Sequence, residues 1–390
     1  MRLRSFLYSA LFLVLPAPGF CQANLSFPPD WAIGPFTRPV NEPIIKPRPE
    51  SIFNDPLLAG SDAGKIHWEA LHTFNPAAVV RNGKVFVLYR AEDDSGTMQI
   101  GMHTSRLGLA VSDDGIHFGR TPQPVFFPAE DGQKAREWPG GVEDPRIVES
   151  PDGGYVLTYT QWNRKTYSIG IATSPDLIHW TKHGPALGET GAYANLMYKS
   201  GGIVTRLDHG RLIAAKIDGK FWMYWGEIEV RVATSPDLIH WTPVVDTSGK
   251  PVVELERRPR LFDSGFPEVG PPPILTSQGI LVLYNGKNGE AGKDPDPDLG
   301  AGAYSVGQAL FDKNHPTQLL QRLSQPSLHP ERSYERSGQY TAGTTFGEGL
   351  VYFKEKWFLY YGCADSFVAV ATAPGGAPAG ISVSSSNAKP

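Results

Sequence analysis

Residues 172–180 read ATSPDLIHW, and residues 233–241 repeat all nine positions without change. A looser copy, AVSDDGIHF, occupies residues 110–118, so the copies begin at intervals of 62 and then 61 residues. Self-similarity at a fixed spacing means that one supersecondary unit recurs, each copy burying its apolar face against the next. Two weaker units fall at 304–312 and 367–372, which brings the number to five.

Short alternating runs lie between these markers, each led in by turn residues. Residues 84–89 follow Asn82 and Gly83, residues 155–160 follow Asp152 to Gly154, and residues 280–284 follow Gly279. Each reads as one arm of a β-hairpin. No long stretch has a helical period, which argues against parallel βαβ units and a TIM barrel. The pattern predicts an all-β chain folded as a five-bladed β-propeller, with antiparallel blades around a channel.

The repeat itself has a structural explanation. Ser and Asp side chains bond nearby backbone in turns, and the closing Trp or Phe seals one unit against its neighbour. His117, His179 and His240 are therefore assigned to turns, not to ligation or base chemistry. Residues 293–299, KDPDPDL, are acidic, but their prolines and spacing do not make a calcium loop, and a solvated linker is expected there.

The first residues carry Arg2 and Arg4, an apolar run over 6–15, then Pro16, Pro18 and Gly19. That order predicts a signal peptide over residues 1–23, cleaved after Ala23, and an exported protein, periplasmic or extracellular. Lipid attachment at Cys21 is disfavoured by the large Phe20 before it. No run is long enough to span a bilayer as a helix. Beyond the signal only Cys363 remains, so stability has to come from a core, not from disulfides. Residues 24–390 are expected to form one domain with a short disordered tail from about 374. A net charge of −4 offers no field for nucleic acid or an acidic membrane, while an aromatic content of 11% suits sugar faces as well as a core.

Carboxylates flanked by Gly, Pro and aromatic residues are the candidates for chemistry. Glu143 and Asp144 follow Gly140 and Gly141 and precede Pro145 and Arg146. Adjacent residues of a strand face opposite sides, so one acid is expected to serve a site and the other to brace it. Glu227 closes the run FWMYWGE, and Glu268 lies in FDSGFPEVGPPP. Carboxylates in such settings are partly desolvated, which raises their pKa toward the range of acid–base catalysts. Asp365, in YYGCADS, has a similar setting.

Residues 74–75 with 89–91, 105–112, 141–146, 199–204, the SPDLIHW repeats and 348–371 together resemble glycoside hydrolase family 130, whose members are β-mannoside phosphorylases and β-mannosidases on five-bladed propellers. The GVEDPR segment combined with YYG and ADS is the specific part; the repeat alone is shared with other propeller glycosidases. The resemblance implies that Asp144 is the general acid, its proton passing through a sugar hydroxyl. It implies that Asn75, Arg90, Arg106 and Asp365 hold the mannose at the cleaved subsite, with Glu143, Tyr198 and Lys199 beside it. Phosphorolysis needs a cluster of cations for its phosphate. The segments around Glu227 and Glu268 instead resemble the secreted hydrolase branch, in which glutamates take that region and activate water.

The reading is therefore an inverting, exo-acting β-mannosidase on a mannose-containing oligosaccharide, β-1,2-linked by resemblance. Asp144 supplies the proton, and Glu227 or Glu268 polarises water. No metal or organic cofactor, nucleic acid or membrane insertion is expected. Rival readings are a mannoside phosphorylase on the same fold, a non-catalytic glycan-binding propeller, and an arabinan or fructan hydrolase.

Overall fold

In the computed structural model, which describes residues 28–58, 64–94, 97, 99–376 and 378, the hairpin at Asn82 and Gly83 is built as its sequence dictates. Both residues have positive φ, 50° and 70°, and Arg81 lies directly across from Lys84. A two-residue turn of this hand matches the twist of the strands that it joins. The expected signal peptide, Cys21 and, apart from residues 374–376 and 378, the expected tail lie outside the described residues.

The chain is all-β, as expected; a four-residue α-helix, Lys134–Glu137, is a minor exception. Five antiparallel groups follow one another. The first joins His72–Arg81, Lys84–Glu92, Ser105–Ser112 and Gly119–Arg120. The second joins Gly141–Glu149, Tyr155–Trp162, Tyr167–Ser174 and Thr181–Pro185. The third is built on Gly201–Ile203, Lys220–Trp225, Val230–Ser235 and Thr242–Pro243. Phe266–Val269, Ile280–Lys287, Tyr304–Phe311 and Leu319–Arg322 make the fourth. Phe346–Phe353, Lys356–Cys363 and Phe367–Pro374 make the fifth.

The core is divided among the seams between these groups. Val79, Leu107 and Leu109 of the first pack with Val142 and Leu157 of the second. Val156 and Ile171 of the second meet Ile203 and Met223 of the third. Val204 and Val232 of the third meet Val269 and Val282 of the fourth. Leu283 and Val306 of the fourth meet Leu350 and Leu359 of the fifth. The fifth returns to the first, where Val351, Tyr360 and Val370 pack on Val85, Val87 and Tyr89. Each group thus has two apolar faces, which explains strands such as Gly141–Glu149 and Phe346–Phe353 that are buried almost throughout.

The repeat makes the turns assigned to it. Ser112, Ser174 and Ser235 accept hydrogen bonds from backbone N–H groups three residues on, at 2.8, 2.8 and 2.9 Å. Asp114, Asp176 and Asp237 accept from the next N–H groups and pair with His117, His179 and His240 at 2.7–2.8 Å. These imidazoles are exposed, with 80–83% of each side chain open to solvent.

Candidate active site

The first strands of the first, second and fifth groups are each interrupted at one place. Phe74 faces Arg90 and Pro76 faces Tyr89, which leaves Asn75 without a ladder partner. Glu143 faces Thr160 and Arg146 faces Thr158, so that Asp144 and Pro145 oppose the single residue Tyr159. Gly347 faces Tyr361 and Gly349 faces Tyr360, leaving Glu348 as the extra residue. Such bulges re-aim side chains and end regular pairing. Asn75 and Asp144 both take φ of 47°, a conformation that Asn and Asp tolerate better than most residues. The prolines that follow them lack an N–H and suit a place where the ladder is already broken.

The bulges bring distant residues together. Asp144 Oδ1 accepts from Asn75 Nδ2 at 2.7 Å and from Arg90 Nη1 at 3.1 Å. Arg90 Nη2 donates to Glu92 and to Glu143, both at 2.7 Å, and its Nε donates to Ser105 at 3.0 Å. Strand alternation had separated Glu143 from Asp144, but the bulge lets both carboxylates reach one guanidinium. Burial alone would lower the Arg90 pKa; Glu143, Glu92 and Asp144 outweigh it and hold the group charged.

Lys199 joins this cluster to the other glutamates. Its Nζ is 3.9 Å from Asp144 Oδ2, 3.6 Å from Glu227 Oε2 and 3.4 Å from Glu268 Oε1. The backbones of Glu227 and Glu268 meet in an isolated antiparallel bridge. Ser200 Oγ donates to Glu268 Oε1 at 2.5 Å. Since Asp144 Oδ2 and Glu268 Oε1 are both near one ammonium, these oxygens lie no more than about 7.3 Å apart, the two Lys199 distances laid end to end.

The carboxyls are held in different states. Burial pushes Glu268 up to about 7 against the pull of Lys199, with Glu227 adding to the rise. It pushes Glu143 to about 7 despite Arg90, and Asp365 to about 6. Burial works the same way on Asp144, but Arg90, Lys199, Arg146 and the Asn75 amide prevail and hold it down at about 2. Asp144 is thus a carboxylate at neutral pH in the free protein, while its neighbour Glu143 is the group poised to carry a proton.

Asp365, half-buried with φ of 50°, shares the field of Arg90, Asp144 and Glu92. Two residues expected beside the sugar are placed otherwise. Arg106 is fully buried, with Nη1 on Asp93 at 2.5 Å and Nη2 on Asp55. It follows Ser105, which turns toward Arg90, so strand alternation sends it to the opposite face. Tyr198 borders the cavity beside Lys199, but its hydroxyl accepts from the Leu187 N–H at 3.0 Å and is turned into the protein. That cavity, about 490 Å³, is also lined by Tyr167, Tyr193, Trp225 and Glu227.

Sequence reasoning passed over Glu92, Ser105, Arg146, Ser200 and Glu348. Glu92 had a usable signal, because Arg90 and Glu92 sit two apart on one strand and must share a face. Glu348, enclosed by Gly347 and Gly349, shows its bulge only once the register is known. Ligating atoms of His72, Glu92 and His103 lie within 4.8 Å of one another, close enough to hold a metal ion. The Glu92 carboxylate is already held by Arg90 and by Gln339 Nε2 at 3.2 Å, and His72 Nδ1 lies 2.9 Å from Ser366 Oγ. That trio reads as part of the polar network.

Among known proteins, the chain is 33% identical to a 1,2-beta-oligomannan phosphorylase of Thermoanaerobacter sp. (strain X514), over 78% of this chain and 90% of that protein. It is 50% identical, with a TM-score of 0.86, to a structure described under the heading that the GH130 family of mannoside phosphorylases contains glycoside hydrolases that target beta-1,2 mannosidic linkages in Candida mannan; the match covers 90% of this chain and 97% of that one. A glycosyl hydrolase from Bacteroides ovatus is similar at 50% identity and a TM-score of 0.85, covering 90% and 97% of the two chains. Residues 44–375 match the family model described as beta-1,4-mannooligosaccharide phosphorylase, and the chain therefore belongs to glycoside hydrolase family 130, whose enzymes act on β-mannosidic linkages.

Proposed function

We propose that the chain is an exported, inverting β-mannosidase that removes mannose from β-1,2-linked manno-oligosaccharides. The observation that carries the reading is the pair of glutamates on Lys199. Glu227 and Glu268 stand 3.6 and 3.4 Å from its ammonium, and Asp144 stands 3.9 Å from it. Three carboxylates around one cation leave no net positive site for a phosphate dianion and favour a polarised water. The five groups whose apolar seams run from first to fifth and back to first support a single five-bladed propeller domain, with the bulged first strands gathered at its centre.

In this reading Asp144 delivers a proton to the glycosidic oxygen, and Glu268 or Glu227 draws one from water on the opposite sugar face. The limit of about 7.3 Å between Asp144 and Glu268 oxygens admits the lower part of the roughly 6.5–9.5 Å span of inverting enzymes. Asp144 is ionised before substrate binds, so it first takes up a proton, for which Glu143 beside it is the source; Asp144 then gives that proton to a sugar hydroxyl, which releases its own to the glycosidic oxygen. Asn75, Arg90 and Asp365 hold the sugar hydroxyls.

A second reading, phosphorolysis, is favoured by the curated relative named as a phosphorylase and by the retained Lys199. Product analysis separates the two. Purified protein incubated with β-1,2-mannobiose should release mannose that is α at first appearance by proton NMR, at a rate indifferent to phosphate. Mannose 1-phosphate formed in phosphate buffer would overturn the hydrolase reading.

A further inference from the structure

Arg146 is 2% exposed and spans three of the five strand groups. Its Nη1 donates to the Asp144 carbonyl at 3.0 Å, its Nη2 to the Val269 carbonyl at 2.7 Å and its Nε to the Gly270 carbonyl at 3.2 Å. Val269 and Gly270 directly follow Glu268. One rigid planar fork thus fixes the backbone at Asp144 and the backbone just beyond Glu268.

Glu348 lies behind this fork. Its Oε1 is 2.9 Å from Arg146 Nη2, yet neither carboxylate oxygen has a directed hydrogen bond among the described residues. Three N–H groups of Arg146 point at carbonyls, and the guanidinium meets Glu348 without a directed hydrogen bond. The bulge that carries Glu348 is pinned by Asn285, whose Oδ1 accepts from Gly347 N at 2.8 Å and whose Nδ2 donates to Gly347 O at 3.1 Å. Asn285 is the ladder partner of Glu268. A Cβ on Gly270 would come within 3.1 Å of Gly347 O, so the two strands touch at their backbones.

A buried Arg that bonds three carbonyls is an ordinary brace. A fully buried carboxyl without directed hydrogen bonds is not, because burying it in that way is costly and packing alone gives no reason to retain it. Burial pushes its pKa well above the usual carboxylate range against Arg146, and the nearby Asp144 and Glu268 carboxyls add to the rise. We propose that Arg146 and Glu348 are a positioning pair that fixes the Asp144 and Glu268 carboxyls relative to one another. The role rests on Asp144 as proton donor and on Glu268 at the nucleophile side, and holds whether that nucleophile is water or phosphate.

Two variants of the full chain test it. Glu348→Gln keeps the shape and removes the ionisable carboxyl; Glu348→Asp keeps the carboxyl and withdraws it from Arg146 by one methylene. Each should keep a melting temperature near that of the wild type and a KM within about twofold, while kcat falls about tenfold or more, as a small misplacement of reacting groups allows. In Glu348→Gln the alkaline limb of the kcat profile should also move to lower pH, because no Glu348 carboxyl then ionises beside the remaining carboxyls as pH rises. Wild-type kcat and pH profile in whichever variant folds would overturn the pair, and failure of both to fold would reduce it to a structural brace. The variant-to-wild-type ratio is taken in the buffer, with or without phosphate, in which the wild type turns over. The hydrolase reading and the positioning pair can therefore fail separately.

Discussion

Replacing Arg90 with methionine keeps most of the side-chain volume and removes the cation on which Glu92, Glu143 and Asp144 converge. These contacts are 2.7, 2.7 and 3.1 Å long and buried, with 7% of Arg90 exposed. Removing one partner of a buried pair leaves the other uncompensated, at roughly 3–5 kcal/mol. Here three carboxyls lose their common partner, so the larger value is expected at alkaline pH, where all of them would be charged. The pH dependence has a definite sign. Without Arg90 the folded-state pKa of Glu143, already above its unfolded value, rises further, so the folded variant binds that proton more tightly than its unfolded chain. Stability of that kind is present at low pH and is lost as pH rises through the raised value. Glu143 already sits at about 7 with Arg90 present, so the deficit should widen between mildly acidic and mildly alkaline buffer. Denaturant unfolding of both proteins at two such pH values measures it, with circular dichroism as the probe. A deficit under about 1 kcal/mol, or one equal at both pH values, would refute the argument that Arg90 neutralises a buried acidic cluster. Turnover should be lost as well, because the same group orients Asp144.

Asp144→Asn should leave the fold intact and cut hydrolysis of an unactivated mannobiose by roughly 10²–10⁴, the usual worth of a positioned proton donor; near-wild-type kinetics would remove it from that role. If Glu268 is the base, activity should rise as pH climbs through about 7, where its carboxyl ionises, and Glu268→Gln should be inactive but folded. A folded, fully active Glu268→Gln would pass the role to Glu227. Asp365→Ala should raise KM and lower kcat together, since groups that hold hydroxyls also orient the sugar, and unchanged kinetics would show that Asp365 lies off the mannose.

Legibility differed sharply among the site residues. Asn75, Arg90, Asp144, Lys199, Glu227, Glu268 and Asp365 were singled out from local context and resemblance, and the structure places them near one another. Arg106, expected beside the sugar, is turned by period-two alternation away from Arg90, toward Asp55 and Asp93. Tyr198 fared similarly, since its hydroxyl is bonded to Leu187 and only its neighbour Lys199 reaches the carboxylates. For the acidic pair the same alternation misled in the other direction: regular strand geometry separates Glu143 from Asp144, and the bulge overrides it.

What the sequence by itself determined is the repeating, all-β character of the chain, because an identical nonapeptide and its turn chemistry are local properties that survive without knowledge of the rest. Hairpins such as the one at Asn82 and Gly83 belong to the same class. The tertiary structure alone decided the electrostatic order of the site. Lys199 meets Asp144, Glu227 and Glu268, and Arg146 meets Glu348, across separations of tens to hundreds of residues. A carboxyl's charge state depends on its burial and on the cations within a few ångströms. Those neighbours are supplied by other strand groups, through bulges whose register only the assembled sheets reveal.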